Sequence, residues 1–233
     1  MKLKGIDVSH HNGEVDWEKV KNAGMDFAYI RMGYSGYEGE IHLDRLFYKN
    51  IREAKNAGLK VGAYIYSYNR GKASAGKTAD EAAGILKGIE TDLPLAFDVE
   101  ETGHDIFVSR GKEENSLVCI EFFKALREKN LDGILYTYTN FAKNYLNMEM
   151  LSQYDLWIAD YRDETGEKCP YEGKFEIWQY MGSKGRCDGV KGPCDLNFCY
   201  KDYEDNTDYK RKYEELKKAV CELIKKYEKI TAS

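Results

Sequence analysis

Several things are scarce in these 233 residues, and each scarcity excludes a class of protein. Three prolines and no low-complexity run argue against a modular, linker-rich chain. No apolar run approaches the length that crosses a bilayer. The net charge is −5 and no basic stripe precedes the C-terminal tail, so nucleic acid is not an expected partner. The opening MKLKGIDVSHHNG lacks the apolar centre of a secretory signal, which leaves a trimmed chain or a route out of the cytoplasm other than a standard signal peptide. The six cysteines include no tight Cys-x-x-Cys pair, so a zinc site built from Cys169, Cys187, Cys194 and Cys199 is not expected. The adjacent His10 and His11 have no partner ligand nearby and are expected to point apart, in a surface or supporting role. No metal and no cofactor is expected.

What is present reads as one large α/β domain. Hydrophobic residues make up 42% and charged residues 32%, and 19 tyrosines offer flat rings with polar tips, suited to sugar faces and to cores alike. Short β-branched or aromatic runs predict strands at 5–9, 27–33, 60–68, 93–100, 133–139, 156–161, 176–180 and 194–198. Helical patterns at 16–24, 42–58, 74–90 and 112–130 separate the early strands, two of them stopping at Ala-Gly. Eight strands with helices between the first five predict a mostly parallel closed sheet, irregular in its last third. Cys187 and Cys194 flank the turn-rich GRCDGVKGPCD, which leaves a disulfide and two buried thiols as even alternatives.

Chemistry in such a barrel sits where the strands end. The strand ends carry Asp7, Ser9, Arg31, Tyr66, Tyr68, Asp98, Glu100, Tyr138, Tyr161, Tyr180, Asp195 and Asn197, a set dominated by acids and tyrosines. Asp98 and Glu100 stand two apart on one strand, so they share a face with alpha carbons roughly 6.6 Å apart. Asp7 and Asp195 belong to the first and last strands, which are neighbours in a closed barrel. Crowding these acids is expected to raise one pKa by like-charge repulsion and to keep one carboxyl protonated near neutral pH, as a glycosidase acid requires. Carboxyls projecting in parallel from one strand leave less than the roughly 6.5–9.5 Å of an inverting enzyme, which favours retention, including the variant in which a 2-acetamido oxygen attacks. Read singly, an Asp-x-Glu at a strand end is more often a solvated pair.

The chain resembles the glycoside hydrolase family 25 lysozymes, the Chalaropsis-type N-acetylmuramidases. The likeness runs from Gly5 to about Tyr200 and rests on Gly5-Ile6-Asp7-Val8-Ser9, Asp16-Trp17, Gly62-Ala63-Tyr64-Ile65-Tyr66, Asp98-Val99-Glu100, Leu156-Trp157-Ile158-Ala159-Asp160-Tyr161, Ile177-Trp178-Gln179-Tyr180 and Asp195-Leu196-Asn197. It implies an irregular TIM-like barrel, (β/α)5(β)3, that hydrolyses the β-1,4 bond between N-acetylmuramic acid and N-acetylglucosamine in bacterial peptidoglycan, outside the cell or at the wall. By this likeness Glu100 is the acid and then the base, Asp98 orients the acetamido group, and Asp7 and Asp195 tune both. Tyr64, Tyr66, Tyr138, Trp157, Tyr161 and Trp178 are candidates for sugar contact. Asn12 stands where the family often has Gln, which puts fine substrate positioning in doubt. Chitinases carry two further acids upstream of their Asp-x-Glu; here those positions are Pro94 and Ala96. A catalytically silent glycan-binding barrel is the alternative.

Residues 1–202 are read as the catalytic barrel and 203–233 as a C-terminal amphipathic helix. Tyr209, Tyr213, Leu216, Val220, Leu223, Tyr227 and Ile230 recur at alternating steps of four and three. Packing on the barrel is favoured over association, and a monomer over a tail-mediated dimer.

Overall fold

A computed structural model describes residues 2–100 and 107–203, with scattered positions between 213 and 227. The chain divides into two compact units, one ending at Lys201 and one beginning at Asp202. In the second, the described residues Tyr213, Leu216, Val220, Leu223 and Tyr227 are helical. Tyr209 and Ile230 of the tail pattern lie outside the described residues.

The first unit is built on a sheet of nine strands: β1 (Leu3–Val8), β2 (Phe27–Ser35), β3 (Ile41–Leu43), β4 (Lys60–Tyr66), β5 (Leu95–Asp98), β6 (Gly133–Tyr138), β7 (Asp155–Ala159), β8 (Ile177–Met181) and β9 (Asp195–Cys199). Eight of them close in the order β1-β9-β8-β7-β6-β5-β4-β2 and back to β1, with β3 paired outside on β2. Every barrel pairing from β1–β2 round to β7–β8 is parallel. β9 runs antiparallel to both β8 and β1. The irregular last third expected from the sequence is therefore one reversed strand, and long connections at 160–176 and 182–194 carry no helix.

Helices α1 (Trp17–Asn22), α2 (Phe47–Asn56), α3 (Lys72–Ile85) and α4 (Lys112–Glu128) lie where the apolar periodicity places them. Asp16 caps α1 by accepting the Lys19 amide at 3.2 Å. Two segments differ from expectation. The stretch 41–43 is strand, because His42 and its neighbours pair with Gly33–Ser35 of β2, and α2 begins only after Asp44 accepts the Leu46 amide at 2.9 Å. A fifth helix, α5 (Thr139–Tyr145), follows β6 directly and was hidden by the strand-like run before it.

Strand alternation divides the apolar residues between two cores. Ile6, Val8, Ile30, Val61, Ile65, Phe97, Val99, Leu135 and Ile158 belong to the core between barrel and helices. Phe97 of β5 stacks on Phe122 of α4 with centroids 3.9 Å apart, and burying each such ring contributes about 2–3 kcal/mol. That contact anchors the strand whose opposite face carries Asp98. The barrel interior holds large rings instead: Tyr29 stacks on Trp157 at 4.4 Å, and Tyr136 meets Trp157 edge-on at 4.7 Å. Gly62 makes room for this, since a Cβ there would lie 2.5 Å from the Tyr29 ring. These rings fill the barrel to a floor, and above it the inward positions turn polar.

Candidate active site

Above the floor, at the C-terminal ends of the parallel strands, lies a cavity of about 460 Å³. Asp7, Asp98, Glu100 and Asp195 all line it, with Tyr64, Tyr66 and Trp157. The reversal of β9 explains how Asp195 arrives there. It is the first residue of its strand, yet in the antiparallel register it lies opposite Asp7 at the top of β1. Asp98 ends β5, and Glu100 follows two residues on with the buried Val99 facing the other way.

The acids are joined in two pairs. Asp98 is hydrogen-bonded to Glu100, and Asp7 to Asp195. Two carboxyl groups bond to each other only through a proton, so each pair is built to hold one. Burial, more than repulsion, is what raises these groups. Asp98 is 5% exposed and is raised well above the ordinary aspartate range, first by burial and then by the charge of Glu100. Burial likewise pushes Glu100 up to about 6, so both members of the Asp98–Glu100 pair hold a proton more tightly than free carboxyls. Asp195 is pushed up to about 8, by burial and then by Asp7. The expectation of a carboxyl protonated near neutral pH thus meets a site where desolvation is the leading cause.

Asp7 is treated differently by its surroundings. Its Oδ2 accepts N–H bonds from Gln179 at 2.8 Å and Asn197 at 2.7 Å, which partly offset the rise that its burial causes. Asp98 carries the opposite signature: its Oδ1 is buried with no hydrogen-bond partner among the described residues. Arg31 is the one Lys or Arg among the described residues of the lining, and its charge opposes the rise of both Asp98 and Glu100. It also borders a neighbouring groove of about 620 Å³ that carries Tyr34, Tyr68 and His42. Arg31 was visible only as an inward strand-end residue, two after Tyr29. Gln179 and Asn197 carry no signal until β8 and β9 are placed beside β1.

The aromatic candidates separate. Tyr64 and Tyr66 line the pocket. Trp157 is 1% exposed and held between Tyr29 and Tyr136, so it forms the floor and offers no open stacking face. Tyr161 stands at the rim, 45% exposed, with its hydroxyl on Gln179. Trp178 does not reach the pocket, because its position on β8 faces outward: its indole bonds the Asp160 carbonyl at 2.9 Å and its ring packs near Tyr180 and Phe198. Tyr138 packs against Phe141 of α5, and from β6 the pocket is lined by Tyr136.

The histidines also depart from expectation. Residues 10–12 form a 3-10 turn, and this brings the His10 and His11 rings to 4.0 Å instead of turning them apart. His10 Nδ1 lies 2.7 Å from Asp44 Oδ2, and His11 lines the pocket. Asn12 ties this turn to the approach of β9, donating to the Pro193 carbonyl at 3.0 Å. Cys187 and Cys194 are two free, buried thiols. Among the described residues no group of three or more His, Cys, Asp or Glu side chains is arranged to hold a metal ion.

The sequence profile of the glycosyl hydrolases family 25 matches residues 6–190, which covers the barrel up to the approach of β9. The chain belongs to this family. Two curated relatives are similar to this family 25 chain. It is 33% identical over 195 residues to the autolytic lysozyme of Clostridium acetobutylicum, covering 84% of this chain and 55% of that one. It is 29% identical over 202 residues to lysozyme M1 of Streptomyces globisporus, covering 84% and 67%. Among solved structures, the bacterial lysozyme of Streptomyces coelicolor superposes with a TM-score of 0.70 at 25% identity, covering 86% of this chain and 93% of that one. The family 25 chain thus spans little more than half of the Clostridium enzyme and two thirds of lysozyme M1.

Proposed function

We propose that this chain is a muramidase that hydrolyses the β-1,4 bond between N-acetylmuramic acid and N-acetylglucosamine in bacterial peptidoglycan, acting at the cell wall through the barrel of residues 1–202. The observation that carries the reading is the Asp98–Glu100 pair, raised by burial and lining an open cavity beside Asp7. Hydrogen-bonded carboxyls are too close to admit a water between them, as inversion requires at about 6.5–9.5 Å. They are also closer than the roughly 5–5.5 Å of a pair that flanks the anomeric carbon as acid and nucleophile. The nucleophile that remains is the substrate's own 2-acetamido oxygen.

In this mechanism the acetamido N–H donates to the Asp98 carboxylate and stabilises it, so the shared proton passes to Glu100. The acetamido oxygen bonds to the anomeric carbon as the bond to the leaving O4 breaks, and Glu100 delivers its proton to that O4. The resulting oxazolinium keeps its N–H against Asp98. Water then attacks the anomeric carbon from the vacated side, Glu100 takes its proton, and the acetamido group is released with configuration retained. Asp7 keeps a negative charge beneath the pair and helps hold the Glu100 proton, while Arg31 keeps the pair from becoming too weak an acid. Tyr64 and Tyr66 flank the sugar.

The test is mass and NMR analysis of a peptidoglycan digest. Reducing ends on muramic acid, released first as the β-anomer, are the expected products. Reducing ends on glucosamine, or tight binding of wall fragments without cleavage from pH 4 to 9, contradict the reading.

A further inference from the structure

We propose that Trp157 sets the charge state of the acid cluster: through Asn197 it holds Asp7 as the ionised member of the Asp7–Asp195 pair and leaves the shared proton on Asp195. The indole N–H of Trp157 can only donate. Trp157 Nε1 bonds Asn197 Oδ1 at 2.8 Å, and both side chains are buried at 1% exposure. With its oxygen committed, Asn197 must present its amide hydrogens on the other side, where Nδ2 meets Asp7 Oδ2 at 2.7 Å. A second amide repeats the device. Gln179 Oε1 accepts the hydroxyls of Tyr136, at 2.8 Å, and of Tyr161, and its Nε2 donates to the same Asp7 oxygen at 2.8 Å.

Two N–H donors on one carboxyl oxygen stabilise the anion, and a hydrogen on that oxygen would press against them. Asp195 has no such donors among the described residues; its carboxyl bonds Asp7 alone. The asymmetry puts the charge on Asp7 and the proton on Asp195. Other groups facing Asp7 act on the balance without reversing it. Asp98 and Glu100 face it from β5, Cys194 adjoins it before β9, and the Tyr64 and Tyr161 hydroxyls stand near; Arg31 is the nearby cation. Because the Asp7 charge helps raise Glu100, Trp157 and Asn197 are positioning residues that act on the proton donor from below.

Two arms test this, and only the kinetic arm rests on the muramidase reading. Trp157→Phe keeps the ring and removes the N–H, which frees Asn197 to turn. Asp7 then binds its proton more tightly, and the acid limb of kcat moves up by roughly one pH unit or more, with KM changed less than twofold. A folded variant with an unmoved acid limb overturns the proposal. Asp195→Asn reproduces the shape and the N–H donation of a protonated Asp195, and should lower kcat less than tenfold, whereas Asp7→Asn should lower it more than 100-fold. Equal or reversed losses refute the asymmetry. The spectroscopic arm needs no turnover. At pH 7 the infrared band of protonated carboxyls should lose intensity in Asp195→Asn, and an unchanged band sinks the inference even in a fully active enzyme. A protein that shows the band loss but cuts no peptidoglycan keeps the inference and discards the activity.

Discussion

Acidification should stabilise this protein between pH 8 and pH 5, with Asp195 and the buried Asp98–Glu100 pair both contributing. The Asp195 carboxyl titrates near 3.8 in an unfolded chain and at about 8 in the folded one. Within that window the native state holds a proton that the unfolded state has released, so ΔG of unfolding falls as pH rises, by about 1.4 kcal/mol per pH unit for one proton. The contribution is fully present below the unfolded value and is lost as pH climbs through the folded one. From pH 8 down to pH 5 it amounts to roughly 4 kcal/mol as a ceiling. For a domain of this size that corresponds to a rise in Tm of roughly 8–16 °C. Glu100, raised by burial to about 6, adds in the same direction at the acidic end. Asp44 and Asp160 are held below the ordinary aspartate range by hydrogen bonds and lose their contribution only under more acidic conditions, outside the window. Urea unfolding at half-unit pH steps measures the slope, and Asp195→Asn should lower it by one proton's share, about 1.4 kcal/mol per pH unit. A wild-type stability that is level or rises from pH 5 to pH 8, or a slope unchanged in Asp195→Asn, refutes the reasoning.

Three further outcomes are expected. Arg31→Gln removes a charge that opposes the rise of Asp98 and Glu100, so the alkaline limb of kcat should move to higher pH; a limb that stays or falls counts against the role given to Arg31. Gly62→Ala forces a methyl against the Tyr29 ring that stacks on Trp157, and should cost about 1–3 kcal/mol in urea unfolding together with a loss of kcat from the displaced floor. At pH 8 thiol reagents should find one fast site, the exposed Cys221, while Cys119 and Cys187, pushed up by burial to about 12 and about 11, react at least 100-fold more slowly until the chain unfolds. Fast labelling that persists in Cys221→Ser contradicts that order.

The barrel was legible because strand and helix periods alternate cleanly through residue 130, and because the four acids sit at strand ends that a closed sheet must bring together. The misplacements have a common source in facing and register. Trp178 and Gln179 are sequence neighbours on β8, and strand alternation sends the indole into the outer core and the amide into the site. The more conspicuous residue was therefore the wrong one of the two. Tyr138 and Tyr136 exchange roles similarly, because α5 begins at once after β6 and takes Tyr138 into its packing. The amide pair Gln179 and Asn197 depends on β9 being antiparallel with Asp195 opposite Asp7, and no local pattern encodes that register. His42 and Leu43 fit a helical period, yet pairing with β2 overrides it at this edge.

The central claim is that a proton held at Asp98 and Glu100 is delivered to the leaving sugar by Glu100, and Glu100→Gln tests it most directly. The variant keeps the shape of the side chain and removes the transferable proton. Turnover of purified peptidoglycan should fall by at least about 1,000-fold while circular dichroism and Tm stay close to wild type. A folded Glu100→Gln protein that still releases muramic acid reducing ends at the wild-type rate contradicts the account.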